Sequence, residues 1–495
     1  MFETELKFQV PPARREALQR AIATATGRTT RLQAVYADTA DHRLAANGLA
    51  LRLRKEGRVW VQTLKGRGDS LMQRLEHEAR LPAAAGVPAL DATRHAGSAV
   101  GQRLLALLAD GAVLQPVYRT DIRRLHRRVR HCGALIELAY DRGRILAGER
   151  LLEVDEIEFE LVRGPGASLV DLAARWAARF GLWWDVRTKS ERGHRLAVGL
   201  DQVPATRAAA VALPVAASPA QALASWAAGA LQQALPNAAE IASGTAQPEH
   251  LHQLRGALRR LRSVLRVYAG FAVDPAAALA LEADWREPFG QLGAARDQDV
   301  LCHSLVPQLN AALQAAGAPL LPALPPDAGR GPADIVCDAG FTALLLRSLV
   351  LCAAPPVVQE GGSPSALVRA VGAALRPLWR QVRRGAADFG AADAQTRHRL
   401  RKRIKRLRDA LACAMPLLKR KPAAALMRRL ARSLKSLGEL NDMQVAALRY
   451  AALAQRNPQA LLAVGFLAAR QQPAVDRAAA ALARLRRDGV STGVP

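Results

Sequence analysis

The sequence predicts an α+β N-terminal domain built on an eight-stranded antiparallel β-barrel, followed by an all-α domain of two repeated four-helix units. About eight short stretches of alternating apolar and polar residues lie in residues 1–200, mostly joined by short connections. Closing such a sheet into a barrel removes its exposed edges. After residue 217 the strand patterns nearly vanish, and Ala, Leu and Arg recur with helical periodicity.

Domain boundaries follow from the composition. Residues 201–217 are rich in Pro and Ala, which is typical of a linker. We therefore expect a barrel domain over residues 1–200 and a helical domain over residues 218–490. The helical domain contains an internal duplication, with copies at about residues 218–310 and 362–490.

The bulk composition restricts the partners and the compartment. A formal charge of +27 attracts polyanions such as nucleic acid, anionic membrane or phosphate polymers. The five cysteines are scattered and lack paired spacing, which favours a reducing compartment and disfavours zinc. No apolar run reaches the roughly 20 residues of a membrane helix, and the N-terminus carries acidic residues at once. We expect a cytoplasmic protein without a membrane partner.

Charged residues recur at every second position in the predicted strands. Glu3, Glu5 and Lys7 share one strand face, while Leu6 and Phe8 lie on the other. The same alternation appears at Arg52 and Arg54, at Arg74, Glu76 and Glu78, and at Glu156, Glu158 and Glu160, and Lys65 ends another strand. Because the apolar face of a barrel must pack, these charges are predicted to line the interior, where they suit a highly charged ligand.

A lumen that carries both signs of charge indicates a specific chemistry. Arginine and lysine bind phosphate oxygens, and clustered carboxylates repel one another unless a cation lies between them. Two unit charges about 4 Å apart interact by roughly 4 kcal/mol at an effective dielectric constant near 20. Mg²⁺ binds carboxylates, waters and substrate phosphates together. The pattern therefore predicts metal-assisted phosphoryl transfer, most simply hydrolysis.

The motifs of the first 200 residues resemble those of CYTH domains, also called triphosphate tunnel metalloenzymes. The matching segments follow the family's order: ExExK at 3–7, YADT at 36–39, GLALRLR at 48–54, Lys65, QRLEHE at 73–78, IELAYDRG at 136–143, EIEFEL at 156–161 and TKSERG at 188–193. The resemblance implies an eight-stranded tunnel that binds a triphosphate and a divalent metal, Mg²⁺ or Mn²⁺. Members include inorganic, thiamine and RNA triphosphatases and class IV adenylyl cyclases.

The same resemblance assigns roles to individual residues. Those implied to contact the triphosphate are Lys7, Arg52, Arg54, Lys65, Arg74, Arg124 and Lys189. Those implied to hold metal or orient the attacking water are Glu3, Glu5, Glu76, Asp141, Glu156 and Glu158, and the catalytic group is Glu3, Glu5 and Lys7. Glu76, Glu78 and Glu160 are weaker candidates, and Arg119 and Arg123 compete with Arg124 for the inward position. His42, His77 and His126 stand singly without ligand spacing, and we expect them to be structural.

Two motifs repeat together in the helical half. HQLRGALRRLR begins at His252 and HRLRKRIKRLR at His398, while LGAARDQDV begins at Leu292 and LGELNDMQV at Leu437. The first motif places basic residues along one stripe of a helix, with almost no acidic partner within that stripe. A stripe of like charges that recurs in both copies favours a polyanion site over an ordinary solvated face.

This repeat resembles the CHAD domain, a helical module that often follows CYTH. The resemblance covers about residues 215–490 and implies two four-helix units with pseudo-twofold symmetry. The implied polyphosphate-binding residues are His252, Arg255, Arg259 and Arg262 with His398, Arg401, Lys405 and Arg408. Asn441 stands where the first copy has Arg296, so the copies need not bind equally.

The leading interpretation is an inorganic triphosphatase, since the domain order resembles bacterial CYTH–CHAD triphosphatases. One alternative is a non-catalytic polyphosphate-binding or granule-associated protein, and another is a class IV adenylyl cyclase. A specific nucleic-acid partner is disfavoured, because aromatic residues that would stack on bases make up 4% of the chain and form no recognition motif.

Overall fold

The computed structural model of the protein describes residues 2–57, 59–68, 71–82, 87–214, 216–325, 329–353 and 364–487. The chain forms two compact units. The first consists of Met1–Ala205 together with Leu235–Gln247 and Val336–Ala353. The second consists of Thr206–Ala234, Pro248–Ile335 and Ala354–Pro495. Two short segments of the helical half therefore belong to the same unit as the strands.

The first unit contains a closed antiparallel barrel, as the sequence predicts. Its strands are β1 (Phe2–Gln9), β2 (Arg28–Asp38), β3 (Leu49–Glu56), β4 (Val59–Arg67), β5 (Gln73–Leu81), β6 (Gln115–His131), β7 (Ala134–Ala147) and β8 (Arg150–Arg163). They follow the order β5-β4-β3-β2-β6-β7-β8-β1, and β1 also pairs with β5. This last pairing closes the barrel and leaves neither strand as a free edge.

Helices surround or cap this barrel. They are α1 (Arg15–Ile22), α2 (Arg43–Ala46), α3 (Ala99–Leu107), α4 (Gly166–Phe180) and α5 (Lys189–Val198). The stretch 183–190, which the sequence suggests as a last strand, contributes only the two-residue β9 (Trp183–Trp184), paired with β1. Thr188 then caps α5 by accepting a hydrogen bond from the backbone N–H of Glu191 at 2.9 Å. A helix therefore carries Lys189, where a strand was one expectation.

Much of the apolar core of the barrel unit lies outside the barrel wall. Leu6 and Phe8 of β1 are buried and point away from the lumen. The ring of Phe8 meets Phe159 edge-on at 5.6 Å, and Phe159 meets Trp176 of α4 at 6.0 Å. Because the outward faces of the strands bury their apolar side chains in this way, the inward faces are free to carry charge.

Tight turns set the strand register at the long hairpin. Cys132 and Gly133 both have positive φ, 41° and 77°, which defines a two-residue turn of the kind that matches strand twist. The pairing of His131 with Ala134 closes the turn. From there β6 and β7 stay in register without a bulge, so every second residue of β6 faces the lumen.

The remaining chain is helical, as predicted; none of its described residues forms a strand. The helices are α6 (Pro219–Ala242), α7 (Pro248–Val267), α8 (Pro275–Asp284), α9 (Arg286–Val300), α10 (Val306–Ala315), α11 (Pro332–Val336), α12 (Ala339–Ala353), α13 (Pro364–Ala387), α14 (Ala394–Ala414), α15 (Arg420–Ala454) and α16 (Leu461–Arg487). Residues 201–214 form neither helix nor strand. We find no helix among the described residues with the length and apolarity that a membrane crossing requires.

Each sequence copy has one helix that carries the basic motif, and the two copies differ in the helices that follow it. The basic motif lies on α7 in the first copy and on α14 in the second, and these two helices pack together. The hydroxyl of Tyr268, just after α7, donates to the carbonyl of Ala410 on α14 at 3.0 Å. The second copy continues into the unbroken 35-residue α15, whereas the first is divided into α8, α9, a π-helical segment and α10.

Candidate functional site

The barrel encloses a cavity of about 850 Å³ whose wall is mostly charged or polar. Every strand from β1 to β8 contributes at least one side chain, and α5 contributes at one end. The sequence-predicted residues that line this tunnel are Glu3, Glu5, Lys7, Arg52, Arg54, Lys65, Arg74, Glu76, Glu78, Arg124, Asp141, Glu158, Glu160 and Lys189. Glu156, which shares its strand face with Glu158 and Glu160, is fully buried and is not among the residues that line the cavity.

The register of β6 decides among three arginines that the sequence leaves open. Thr120, Ile122 and Arg124 line the tunnel, so the even-numbered residues of β6 face inward. Arg119 and Arg123 are exposed on the outer face. The guanidinium of Arg124 makes two 2.7 Å hydrogen bonds to the carboxylate of Asp141, its cross-strand partner.

One group of acids, which we call the Asp141 cluster, consists of Asp141, Glu156 and Glu158. One carboxylate oxygen from each lies within 4.8 Å of the others. The ammonium of Lys189 lies 2.7 Å from Asp141 Oδ2 and 2.8 Å from Glu158 Oε1, and it also contacts Glu156. In this structure a lysine ammonium therefore holds the three acids together.

Protonation of the Asp141 cluster follows from its cationic neighbours. Burial alone would raise the pKa of Glu156, but Arg192 and Lys189 outweigh that effect and lower the pKa to about 2. The pKa of Glu158 is also lowered, since Lys189 and Arg124 outweigh its burial. Both carboxylates are thus ionised and well paired.

A second group of acids, the Glu3 cluster, consists of Glu3, Glu5, Glu76 and Glu160. Lys65 Nζ lies 2.7 Å from Glu3 Oε2 and 3.1 Å from Glu76 Oε2. Arg74 Nε lies 2.8 Å from Glu5 Oε1. Two cations thus contact three of these acids, and Glu160 sits across the β1–β8 pair from Glu5.

The Glu3 cluster is less completely neutralised than the Asp141 cluster. Burial raises the pKa of Glu3 and of Glu5 despite their cationic partners. Burial, with Glu3 and Glu137 nearby, raises the pKa of Glu160 to about 7. Buried carboxylates with raised pKa values form an oxygen-rich, electronegative site, and such donors fit a hard divalent cation.

Lys7 occupies a position different from that of the other tunnel cations. Its side chain is 4% exposed, lies 3.4 Å from Glu156 Oε2 and donates to the backbone carbonyl of Arg187. Burial lowers its pKa even though Glu156 is close. Lys7 therefore ties β1 to the segment that precedes α5, in addition to lining the tunnel.

Residue-level prediction missed Arg192, Asp185 and Arg187. Arg192 contacts Glu156 from one helical turn after Lys189, and a helical reading of TKSERG would have placed both on one face. The guanidinium of Arg187 donates two 3.0 Å hydrogen bonds to the carboxylate of Asp185. It also donates to the hydroxyl of Ser243 at 2.7 Å. No local pattern signals this contact, because Ser243 comes from a distant segment of the same unit.

The basic stripes of the helical unit come together at the α7–α14 contact. The positive charges of Arg255 and Arg259 on α7 and of Arg401 on α14 act on the ammonium of Lys405. Burial and these guanidinium groups lower the pKa of Lys405 to about 7, although Asp409 opposes the effect. A half-buried ammonium whose pKa is lowered in this way marks a strongly positive site.

Acidic partners do reach the stripes, mostly from other helices. Arg259 Nε donates to Asp409 Oδ2 on α14 at 2.8 Å. Arg262 Nη2 donates to Glu282 Oε1 of α8 at 2.6 Å, and Arg408 lies 3.4 Å from Asp409. The absence of acids within the stripe motif therefore does not imply unpaired charges, because tertiary contacts supply Asp409 and Glu282.

The two histidines of the stripes lie at their exposed ends. His252 and His398 are both exposed, and His398 Nδ1 lies 3.1 Å from Asn441 Oδ1. Asn441 is one of the positions at which the two copies differ in sequence, together with Met443 and Gln444, which stand where the first copy has Gln298 and Asp299.

Comparisons with known proteins agree with this architecture. The CYTH domain model matches residues 1–180, and the CHAD domain model matches residues 225–451. An inorganic triphosphatase of Haemophilus influenzae is 28% identical over 200 residues, covering 39% of this chain and 54% of the relative. The chain thus spans about half the length of this curated relative.

Two solved structures are also similar in part. The CHAD domain of the plant Ricinus communis is 30% identical with a TM-score of 0.44, and the match covers 56% of this chain and 96% of that one. A putative adenylyl cyclase from Hippeastrum, whose description reports a dominant triphosphatase activity, is 18% identical with a TM-score of 0.29 over 40% of this chain and 96% of that one. From the family matches, the chain consists of a CYTH domain at residues 1–180 followed by a CHAD domain at residues 225–451.

Proposed function

We propose that the tunnel hydrolyses inorganic triphosphate, or another short polyphosphate, with the help of a divalent cation, Mg²⁺ or Mn²⁺. The main observation is that one enclosed space contains two kinds of charged side chain. Arginines and lysines can bind a phosphate chain, and the acids Glu5 and Glu160 are incompletely neutralised by these cationic side chains. The name of the Haemophilus relative, an inorganic triphosphatase, agrees with this proposal.

Substrate binding would fall to the cations of β3, β4 and β6. Arg52 and Arg54 are two positions apart on β3, about 7 Å along the strand, so they reach different phosphoryl groups of one chain. Arg124 and Lys65 extend this row around the barrel wall. Guanidinium groups bind phosphate oxygens in pairs, which fixes the chain along the tunnel.

The divalent cation fits the Glu3 cluster. Glu3, Glu5 and Glu76 offer oxygen donors, and the incomplete neutralisation of Glu3 and Glu5 favours a cation there. When bound, such an ion neutralises phosphate oxygens and makes the phosphorus more electrophilic. The Asp141 cluster is the second candidate by donor type, although Lys189 already neutralises it.

Hydrolysis also requires that the attacking water lose a proton. Attack on the terminal phosphorus forms one P–O bond and breaks the bridging P–O bond, giving phosphate and diphosphate. Glu160, with a pKa of about 7, is suited to accept the proton from the water at its carboxylate oxygen. Glu5 and Glu160 are paired across neighbouring strands, so a metal ligand and a base lie side by side.

Substrate preference gives a first test. We expect a higher kcat/KM for free triphosphate than for ATP or thiamine triphosphate, because the tunnel offers charge along its length and no evident group for recognising a base. The measurement is phosphate release from the full chain with each substrate and with long-chain polyphosphate, in Mg²⁺ and in Mn²⁺. A higher kcat/KM for ATP, or formation of cyclic AMP, would place the protein with the adenylyl cyclases. No turnover of any substrate would support the non-catalytic polyphosphate-binding alternative.

For the CHAD domain we propose binding of long-chain polyphosphate at the α7–α14 contact. The supporting observation is the positive site around Lys405, built from Arg255, Arg259 and Arg401. A polyanion that neutralises these groups releases counterions, so its affinity falls steeply with salt. Part of this proposal is a cytoplasmic location with access to polyphosphate granules. None of the five cysteines, all within the described part of the chain, forms a disulfide, which agrees with a reducing compartment.

Charge reversal at this contact should abolish polyphosphate binding. Arg259 is a poor choice for reversal, because a glutamate there would face the buried Asp409. We expect the double change Arg401→Glu and Lys405→Glu to lower polyphosphate affinity by at least tenfold and to leave triphosphate turnover unchanged. Filter binding with labelled long-chain polyphosphate measures the effect, and reversal of the exposed Arg428 and Arg477 is the matched control. Equal losses in both double variants would reduce the site to general surface charge.

The lowered pKa of Lys405 predicts a pH dependence. Binding of a polyanion favours the protonated lysine, so above pH 7 binding must take up a proton, and affinity should fall by up to about tenfold per pH unit. Lys405→Arg keeps the charge at every pH in this range and should flatten the profile between pH 6.5 and 8.5, where Arg255, Arg259 and Arg401 stay charged. A profile that is identical in the Lys405→Arg variant would exclude Lys405 as its cause.

A further inference from the structure

Three described groups of side chains bring at least three possible metal ligands within 4.8 Å of one another. The Asp141 cluster belongs to the tunnel and is neutralised by Lys189. The second group consists of His131, Cys132 and Asp171. There His131 Nε2 and Asp171 Oδ2 already form a hydrogen bond of 2.6 Å, and Cys132 is exposed. The third group, which we call the His42 site, consists of Asp38, His42 and His194 and has no role in the proposed hydrolysis.

The residues of the His42 site come from three separate parts of the barrel unit. Asp38 ends β2, His42 lies in the turn before α2, and His194 lies on α5. The rings of His42 and His194 meet at a steep angle with centroids 4.9 Å apart. More than 150 residues separate the two histidines in the chain, which explains why no ligand spacing is visible in the sequence.

Asp38 is held in a fixed orientation. Its Oδ1 accepts from the backbone N–H groups of Thr39 at 2.7 Å and Leu44 at 2.8 Å, and its Oδ2 accepts from that of Ala45 at 2.9 Å. A carboxylate oxygen can accept two hydrogen bonds, so Oδ2 retains a lone pair for another partner. Backbone donors that orient a carboxylate in this way are typical of the outer shell of metal sites.

His42 shows two features that need an explanation. It has a φ of 58°, in the left-handed region that residues other than glycine seldom adopt. Its Nδ1 is buried, and no described residue hydrogen-bonds to it. A buried polar atom without a partner costs free energy, and a bound ion is one explanation for such an atom at a position with unusual backbone.

We propose that Asp38, His42 and His194 bind a zinc-type transition-metal ion that joins α5 to the turn after β2. Two imidazole nitrogens and one carboxylate are a common protein ligand set for Zn²⁺, with a fourth position for water. Zn–N bonds of about 2.0–2.1 Å place ligand atoms about 3.3 Å apart in a tetrahedron. Atoms already within 4.8 Å reach that spacing by small side-chain rotations. The His42 site differs in kind from the all-oxygen acids of the tunnel, which suit Mg²⁺.

The surroundings allow an ion to enter. His42 lines an open cleft of about 510 Å³ together with Gln115, Gly148 and Arg150. Because α5 also carries Lys189 and Arg192, an ion at the His42 site would fix the helix whose other face closes the tunnel. The ion would therefore hold α5 in place, and the proposal stands whether or not the tunnel hydrolyses triphosphate.

The test is metal binding by the full chain after treatment with EDTA, in excess Mg²⁺ to occupy the tunnel. We expect one Zn²⁺ per chain by calorimetry and a higher melting temperature in its presence. Co²⁺, used as a spectroscopic probe, should give visible bands of nitrogen and oxygen ligation without a thiolate charge-transfer band. His42→Asn, which tolerates the left-handed backbone, and His194→Gln should each lower Zn²⁺ affinity at least tenfold.

A matched variant separates the His42 site from its rival. His131→Gln removes a ligand of the second group and should leave Zn²⁺ affinity unchanged. The proposal is overturned if Zn²⁺ does not bind in excess Mg²⁺, if His42→Asn and His194→Gln both bind as the unmodified chain does, or if His131→Gln is the variant that loses the ion. Melting temperatures of all variants in EDTA show whether each is folded, so a loss of binding can be assigned to the missing ligand.

Discussion

Replacing Glu5 by glutamine should lower the rate of triphosphate hydrolysis by at least two orders of magnitude, about 3 kcal/mol in transition-state stabilisation. The change keeps the shape of the side chain and removes its charge. Glu5 lies in the Glu3 cluster, and its carboxylate is the one that Arg74 contacts at 2.8 Å. Without it, the proposed cation loses a ligand, and Arg74 is left with an amide in place of a carboxylate.

The kinetics of Glu5→Gln should also show the cause. A lost metal ligand raises the Mg²⁺ concentration needed for half-maximal rate, whereas a lost structural contact does not. Glu16→Gln, at an exposed position of α1, is the matched control and should hydrolyse triphosphate normally. Hydrolysis by Glu5→Gln at close to the rate of the unmodified chain would mean that the Glu3 cluster has no part in the reaction.

Replacing Lys189 by methionine should destabilise the protein by about 3–5 kcal/mol, the usual cost of removing one partner from a buried ion pair. The Lys189 ammonium contacts all three acids of the Asp141 cluster. Methionine fills similar space but leaves those acids with only Lys7, Arg124 and Arg192 to neutralise them. Chemical denaturation in EDTA measures the change in the free energy of unfolding, since EDTA keeps a divalent ion from taking the place of the ammonium.

Lys55→Met is the control for that measurement. Lys55 is an exposed lysine on β3, close to the ring of Trp60, and it contacts no acid of either cluster. We expect its loss to change the free energy of unfolding by less than about 1 kcal/mol, as for exposed charges in general. Equal small effects from Lys189→Met and Lys55→Met would contradict the assignment of Lys189 as the counter-ion of the Asp141 cluster.

Period-two alternation of charge predicted the inward face of β1. Glu3, Glu5 and Lys7 lie inside, and Leu6 and Phe8 lie outside. Alternation cannot show which face of a strand points inward when both faces are polar, as in the basic strand around Arg124. It works only where polar residues alternate with apolar ones. There only the pairing of Arg124 with Asp141 on β7 distinguishes the inward residue.

Contacts between distant segments could not be predicted. Asp409 of α14 pairs with Arg259 of α7, and Glu282 of α8 pairs with Arg262 of α7, so both ion pairs join different helices. Arg192 was missed because a strand was expected where α5 begins. In a strand Lys189 and Arg192 would lie on opposite faces, whereas in a helix they lie on the same face. His42 and His194 meet only through the fold, so the interpretation of His42 as a single structural histidine rested on sequence spacing alone.

The most direct test of the central proposal is phosphorus NMR of triphosphate incubated with the full chain, first in EDTA and then after addition of Mg²⁺. We expect the triphosphate signals to persist in EDTA and to be replaced, on adding Mg²⁺, by those of phosphate and diphosphate in equal amounts. Triphosphate that stays intact in Mg²⁺ and in Mn²⁺, or that is cleaved equally well in EDTA, would contradict the proposal that the tunnel is a metal-dependent triphosphatase.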